Sequence, residues 1–326
     1  MMDTLETGDS ACHIYKKQMS KLTIAIPTYN RKERLLQQLH SILSQEQSNK
    51  VEILVLDNAS SYTVEDAIRE EFGTQPNIRV IRHKYNVGGD ANIAMTFLYC
   101  QTQWMWLLGD DDETMPNSIE TILNDIERFS EVAYFKYSIK NFQPHEDKVV
   151  DTLESLVDYY YDGGYLGGDL IFLSNNVYNL QMAGDYYGTT LFHCYSCVSQ
   201  LLPVFHILME QKGKAMFRST PIITYKRPEK GTAWNMLNVS VGLSVLPLIN
   251  LKLDTLHYRR LMNKIGSGFP HGTIVKLCLN IENRQQSHIL YKHIYNGLFR
   301  HTGKLIDRIY YIAFYVFRLL GIKFSI

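Results

Sequence analysis

The sequence predicts an α/β domain built on a largely parallel sheet covered by helices on both faces, with a mainly helical extension behind it. Three observations carry this. From Lys21 onward, short β-rich apolar runs alternate with stretches of helical spacing. The polar residues that stand out gather where those apolar runs end, which is where ligands sit in a parallel α/β sheet. After Gly231 the alternation stops and the spacing turns mainly helical.

Taken in order, Leu22–Pro27 and Val51–Leu56 read as strands, joined by a helix that places Leu35, Leu36, Leu39, Ile42 and Leu43 on one side. Thr63 with Asp66 is a capping-box-like start for a second helix, which ends near Gly73 and Pro76. A third strand, Ile78–Arg82, leads into Asn86-Val-Gly-Gly-Asp90, where Asp90 or Asn92 would cap a helix running to Leu98. The fourth strand, Trp104–Leu108, ends in three aspartates. Beyond Pro116 come a helix (Ser118–Phe129) and a strand (Val132–Tyr137), then a stretch with Gly163, Gly164, Gly167 and Gly168 that reads as a flexible or closely approached loop. Leu170–Leu173 is expected to be a strand, Cys194–Gln211 a helix kinked at Pro203, and Ile222–Tyr225 a last strand before Lys226-Arg227-Pro228. The expected division is a poorly ordered leader (1–20), a sheet domain (21–230) and a helical region (231–326).

Bulk properties narrow the function. The 33 Lys and Arg balance the 33 Asp and Glu, so no overall field draws in nucleic acid. Five scattered cysteines argue against a disulfide framework and for a reducing compartment. The first 20 residues carry acids and lack the basic start and apolar run of a secretory signal, and no stretch reaches the ~20 apolar residues that span a bilayer. A cytoplasmic location is expected.

The chemistry concentrates at strand ends. Asp110, Asp111 and Asp112 repel one another unless a cation or several donors compensate. A divalent ion such as Mg²⁺ or Mn²⁺, held by one or two carboxylates plus substrate phosphates, is the simplest compensation; a solvated acidic turn is the alternative. Asp57-Asn58 offers a carboxylate to a ring N–H of a pyrimidine, or forms an Asx turn. Pro27-Thr28-Tyr29-Asn30-Arg31 ends the first strand, where backbone groups and Arg31 can hold a nucleotide, or Asn30 can cap the next helix. Gly88 and Gly89 allow a close backbone approach or simply a turn. Cys194 and Cys197 with His193 and His206 lack the second Cys-x-x-Cys that zinc would need.

Together these stretches resemble the family 2 glycosyltransferases of the GT-A fold, a Rossmann-like sheet. The matching runs are Thr23-Ile-Ala-Ile-Pro-Thr-Tyr-Asn-Arg31, Leu-Asp-Asn-Ala-Ser within Val51–Ser60, Asn86-Val-Gly-Gly, and Trp106-Leu-Leu-Gly-Asp-Asp-Asp112. The Leu-Gly-Asp-Asp-Asp form looks most like the abequosyltransferase-like branch of bacterial surface-polysaccharide synthesis. The resemblance implies a metal-dependent transfer of sugar from a nucleotide-sugar donor (UDP, GDP, CDP or dTDP type) to a saccharide acceptor, with a polyprenyl-diphosphate carrier as one form of that acceptor. It assigns the nucleotide-sugar to Pro27, Thr28, Tyr29, Asn30, Arg31, Asp57, Asn58, Asn86, Gly88, Gly89, Asp90, Asp110 and Asp111, and the metal to Asp110 and Asp112. Arg227, with Lys226 and Lys230, falls where a mobile loop could meet the diphosphate, or forms a solvated basic turn. The Glu-Asp pair that supplies the base in many members is missing. His193 is the first candidate in its place and Asp185 the second, which leaves inverting and retaining routes both open. A sugar-nucleotide pyrophosphorylase and a non-catalytic assembly subunit are the rival readings.

From Arg300 the tail holds five basic residues and one acid. Lys304, Arg308, Tyr311, Tyr315 and Arg318 share one helical face, and Leu305, Ile309, Ile312, Val316 and Leu320 lie on or near the other. This is the pattern of a basic amphipathic helix lying in a membrane interface with tyrosines at headgroup depth, which would place the protein at the inner face of the plasma membrane. A helix packed on the domain, or a homodimer contact, has the same spacing.

Overall fold

Strand β1 (Leu22–Thr28) shows how the sheet is covered on both faces. Leu22, Ile24 and Ile26 enter one core, while Ala25 turns to a second, the two-residue alternation of a strand buried on both sides. The computed structural model describes residues 20–226 and 235–324. Its other strands are β2 (Glu52–Asp57), β3 (Ile78–Arg82), β4 (Trp104–Leu107), β5 (Glu113–Thr114), β6 (Val132–Ile139), β7 (Lys148–Val150), β8 (Asn176–Asn179) and β9 (Lys214–Thr224). They form one sheet in the order β3-β2-β1-β4-β8-β6-β9-β5, with β7 paired to β9. The first four are parallel, β8 is antiparallel to both β4 and β6, and β9 runs parallel to β6.

One face is covered by α1 (Lys32–Leu43), α2 (Val64–Phe72) and, after α3 (Gly89–Tyr99), by α4 (Ser118–Arg128). Leu35, Leu39, Ile42, Ile68, Ile119 and Ile122 fill that core. On the other face lie α3, α5 (Leu153–Asp162), α6 (Gly167–Ile171), α7 (Leu180–Ala183), α8 (Tyr187–Phe192) and α9 (Leu202–Met209). The helices beyond residue 234 are α10 (Met236–Leu243), α11 (Thr255–Ser267), α12 (His271–Leu279), α13 (Arg284–Gly297) and α14 (Leu305–Leu319). Leu243, Met262, Ile274 and Phe314 from these helices join Met105, Tyr178 and Phe217 of the sheet in one continuous core. The helical region is therefore built onto the second face of the sheet.

Three elements depart from the sequence reading. Leu170–Leu173 is the end of helix α6 and a loop, and the strand is Asn176–Asn179. A four-residue apolar run cannot be assigned by periodicity, and the true strand is polar because buried Lys136 and Tyr134 serve its asparagine. The expected helix Cys194–Gln211 is broken into 3₁₀ turns at Cys194–Ser196 and Ser199–Leu201 before α9, with Cys197 left-handed between them. Pro203 sits in the first turn of α9, where its missing N–H has no intrahelical partner to lose, so it starts the helix and does not kink it. The last short strand is the end of the longer β9.

Of the expected helix starts, Thr63 precedes α2 but makes no side-chain cap bond, and Gly88 at φ 90° caps α3 in place of Asp90 or Asn92. Among the loop glycines, Gly167 is the most closely approached: a Cβ there would lie 1.8 Å from the Lys264 carbonyl oxygen of α11, and one on Gly163 would lie 2.8 Å from the Tyr159 carbonyl oxygen.

The tail helix packs on the domain through its aromatic face, so the tyrosines expected at headgroup depth lie against protein. Tyr311 and Tyr315 turn inward onto Tyr291 and Tyr295, and Arg318 donates to the carbonyls of Leu279 and Ile281 at 3.0 and 3.2 Å. Twenty-odd ångströms of helix thus expose the aliphatic side and bury the aromatic one. No helix among the described residues is long and apolar enough to cross a membrane.

Candidate active site

The carboxyl ends of β1, β2 and β4 open into a cavity of about 550 Å³. Its lining includes Pro27, Thr28, Tyr29, Arg31, Asn58, Gly89, Asp110, Asp111 and Asp112 from the sequence-derived set. The lining is completed by Asn92 and Ile93 of α3, Gly168 and Ile171 of α6, Phe172, Leu173 and Ser174 of the following loop, and Tyr225 and Lys226 after β9.

The three aspartates are not equivalent. Asp110 accepts hydrogen bonds of 2.8 Å from Thr28 Oγ1 and from Arg31 Nη1. The same Arg31 nitrogen and Arg34 Nη1 both reach Asp111 at 3.1 Å. Burial alone would depress the Arg31 guanidinium, but Asp110 and Asp111 hold its pKa above the ordinary value. Burial raises the Asp110 carboxyl, with Arg31 and Thr28 opposing it. Among the described residues Asp112 accepts from neutral donors: Ser174 Oγ at 2.5 Å and the Lys226 amide. Its burial, with the nearby Asp111 and Asp110 charges, pushes its pKa up to about 6.

This asymmetry bears on metal binding. Among the described residues no group of three His, Cys, Asp or Glu side chains is arranged to hold a metal unaided. A Mg²⁺ that takes one or two carboxylates and completes its shell with phosphate and water needs no such group. Asp112, buried and without a cationic partner among the described residues, suits that donor set; Asp110 already has Arg31.

Ser174 organises this corner. Besides donating to Asp112 it accepts the Gly109 N–H at 2.9 Å, and its own carbonyl accepts the Trp106 indole N–H at 2.7 Å. Behind it, buried Lys136 donates to Asn175 Oδ1 (2.7 Å), Asn176 Oδ1 (2.9 Å) and the Phe172 carbonyl (3.2 Å). Burial lowers the Lys136 pKa to about 8 against the pull of Asp169. Asp169 itself accepts from Tyr160 at 2.8 Å, and despite its burial Lys136 and His145 keep its pKa below the ordinary range. Ser174, Lys136 and Asp169 were absent from the sequence-derived set. The available signal was the run Ser174-Asn175-Asn176, polar groups packed between apolar segments.

The remaining candidates stand behind or beside the cavity. Asp57 is fully buried and accepts from the Ser60 N–H (2.9 Å) and Arg82 Nη1 (3.0 Å), an arrangement that shapes the turn after β2. Asn30, at φ 54°, is joined to that turn through Ser60 and Ser61. Asn58 accepts the Val87 N–H and donates to Asn86, which in turn accepts the Gly88 N–H, so the Asn86–Gly89 loop is tied to the end of β2. Asp90 lies in the first turn of α3 with its pKa raised by burial, and accepts a 3.6 Å contact from the Cys197 thiol. His193 and Asp185 do not line the cavity. His193 begins the turn that ends at Cys197 and packs on α3; its Nδ1 is buried without a partner, and burial followed by His206 lowers its pKa. Asp185 is exposed on the 3₁₀ turn Gly184–Tyr186. Arg227 lies outside the described residues.

Comparison with known proteins adds to this geometry. The family described as Glycosyl transferase family 2 matches residues 23–192, just over half of the chain. Over 101 residues the chain is 35% identical to the abequosyltransferase RfbV of Salmonella typhimurium, a match covering 30% of each chain. Over 119 residues it is 29% identical to an uncharacterized glycosyltransferase of Haemophilus influenzae, covering 36% of this chain and 39% of that one. The matches thus span well under half the length of these relatives. Among solved structures, residues 1–349 of S. aureus TarS in complex with UDP-GlcNAc superpose with a TM-score of 0.62 at 15% identity, covering 92% of this chain and 90% of that one. The same region of TarS in complex with UDP gives 0.59 at 13% identity, with 94% and 93% covered. The fold is that of these GT-A proteins.

Proposed function

The chain belongs to glycosyl transferase family 2, and on that premise we propose that it moves a sugar from a nucleotide-sugar donor to a hydroxyl of a saccharide acceptor, with Mg²⁺ or Mn²⁺ as cofactor. The observation that carries this reading is the gathering of Asp110 to Asp112 with Pro27, Thr28, Tyr29, Arg31 and Asn58 around one cavity, at the ends of three adjacent parallel strands.

Asp112, with Asp110 beside it, would hold the ion, whose positive charge would offset that developing on the departing diphosphate. The chain's own contribution begins with Arg31, a planar donor suited to phosphate oxygens and kept at the cavity by two carboxylates. Asn58 and the loop it secures would border the nucleoside, with Asp57 and Asn30 setting the shape of that border. Asp90 and Gly89 stand where α3 presents its first N–H groups, which favour anionic oxygens. Arg227 belongs to the same proposal as a phosphate contact.

For the base we place His193 first and Asp185 second. The lowered pKa of His193 keeps its imidazole neutral and able to accept a proton near neutral pH. The turn it begins packs on the helix that lines the donor cavity, whereas Asp185 is exposed on a preceding turn. The acceptor we favour is a saccharide of a bacterial surface polysaccharide, such as O-antigen or capsule, on a polyprenyl-diphosphate carrier. The enzyme would then work peripherally at the inner face of the plasma membrane.

Calorimetric titration with UDP-, GDP-, CDP- and dTDP-sugars, with and without Mn²⁺, tests the donor half. TarS is seen with UDP-GlcNAc, so UDP-sugars head the panel. Metal-dependent binding of one donor class is expected. Absence of binding by every donor would end the transferase reading and favour the non-catalytic alternative.

A further inference from the structure

Helix α14 leaves its aliphatic face uncovered. Leu305, Ile309, Ile312, Val316, Leu319 and Leu320 follow one another at three- and four-residue spacing on that side, with Leu305, Ile312 and Leu319 exposed by 71, 64 and 84%. The opposite face is fully engaged. Phe314 is buried, its ring 3.9 Å from that of Tyr291, and Tyr311 lies 4.1 Å from Tyr295. With Arg318 holding two carbonyls of the α12 end, the rotation of the helix is fixed. The strip is consequently a permanent surface, larger than the scattered apolar side chains that a soluble face tolerates.

Charge decides what covers it. Lys304, Arg308 and Lys323 stand exposed around the strip. Asp307, the one acid from Arg300 onward, is buried; it accepts from His271 Nδ1 at 2.8 Å and from Thr302. Among the described residues from Arg300 onward, the surface therefore exposes cations and no acid. A second copy seated on this strip would bring cations against cations, without the acidic flanks that pair helices at such a seam. Anionic lipid headgroups supply the missing charge, and acyl chains cover the aliphatic side chains.

We infer that the α14 strip is a membrane-docking surface, lying in the interface of a bilayer that contains anionic phospholipid, with Lys304, Arg308 and Lys323 on the phosphates. The inference rests on the peripheral placement proposed above and not on the transfer chemistry. It also links membrane and active site. Helix α6, one wall of the donor cavity, packs on α11, and α11 packs on the 299–302 turn from which α14 departs.

The test is co-sedimentation of the full chain with phosphatidylcholine vesicles, with and without phosphatidylglycerol. Pelleting is expected with the anionic vesicles, weakened by high salt and by about tenfold or more in a Lys304→Glu/Arg308→Glu variant. Ile309→Asp/Ile312→Asp, both at exposed positions, is expected to abolish pelleting while leaving the melting temperature and calorimetric donor binding unchanged. Failure to pellet with either vesicle would overturn the inference. A concentration-dependent dimer that Ile312→Asp disperses would then assign the strip to a second copy, and a persistent monomer would assign its cover to the chain itself. Donor binding measured on the same samples separates failure of this surface from failure of the transferase reading.

Discussion

The Ser174 hydroxyl donates to Asp112 Oδ2 at 2.5 Å while accepting the Gly109 N–H at 2.9 Å, so the loop leading into the neighbouring strand β8 sets the acidic end of β4. Ser174→Ala removes a buried donor and leaves the Gly109 amide short of its partner. A loss of about 1–2 kcal/mol in urea unfolding is expected, and donor affinity measured calorimetrically in Mn²⁺ should fall about tenfold, the equivalent of one well-placed hydrogen bond to a charged group. Unchanged donor affinity would detach Ser174 from the site.

Asp112 is expected to show opposed effects on stability and activity. Its carboxyl titrates at about 6 in the folded chain against an ordinary value of 3.8. The folded state therefore binds more protons between those values, so stability falls as pH rises from about 4 to 6 and stays lower above. Asp112→Asn retains a partner for Ser174 and removes the buried charge. In the ligand-free protein it should raise stability by roughly 1–3 kcal/mol at pH 7.5, with the gain fading below about pH 4. Turnover should be lost. A flat difference across pH would contradict the buried-charge account.

His193→Gln and Asp185→Asn distinguish the two candidate bases. If His193 takes the acceptor proton, the first change should lower kcat by about 100-fold or more with little effect on KM for the donor, and flatten the acidic limb of the pH profile. Asp185→Asn should then stay within about twofold of the parent enzyme, since an exposed group that never meets the acceptor contributes nothing to the proton transfer. The reverse pattern would move the role to Asp185.

Lys136 supports the cavity from behind. Lys136→Met would leave Asp169 with His145 in place of two compensating groups and the acceptors of Asn175, Asn176 and Phe172 short of a donor. Because the site is buried, a cost of about 3–5 kcal/mol in chemical denaturation is expected. A neutral result would mean that the loop carrying Ser174 holds its shape by packing alone.

How much of this was legible in the sequence depended on whether neighbours in the chain were also neighbours in space. β1, β2 and β4 were readable because each is a compact apolar run whose polar terminus already lies at the cavity. β8 was not, since Asn176 and Asn179 become strand residues only once Lys136, Tyr134 and the adjoining strands are in place. The break at Cys197 was equally hidden. A Cβ on Gly242 of α10 would lie 2.7 Å from the Cys197 sulfur, so that turn packs against a segment far along the chain. In the tail, the spacing correctly gave two faces, but both are apolar enough to pack, and the choice was made by Tyr291 and Tyr295 of another helix.

The inward aromatic face of α14 means that the tail cannot be shed as a detachable anchor. Cutting before Arg300 would remove Phe314 from the core and Asp307 from His271, so a clipped chain would be an opened chain. On the docking inference above, control of membrane residence would have to act on the lipid charge or on Lys304, Arg308 and Lys323, because cutting the tail away would open the fold before it released the surface.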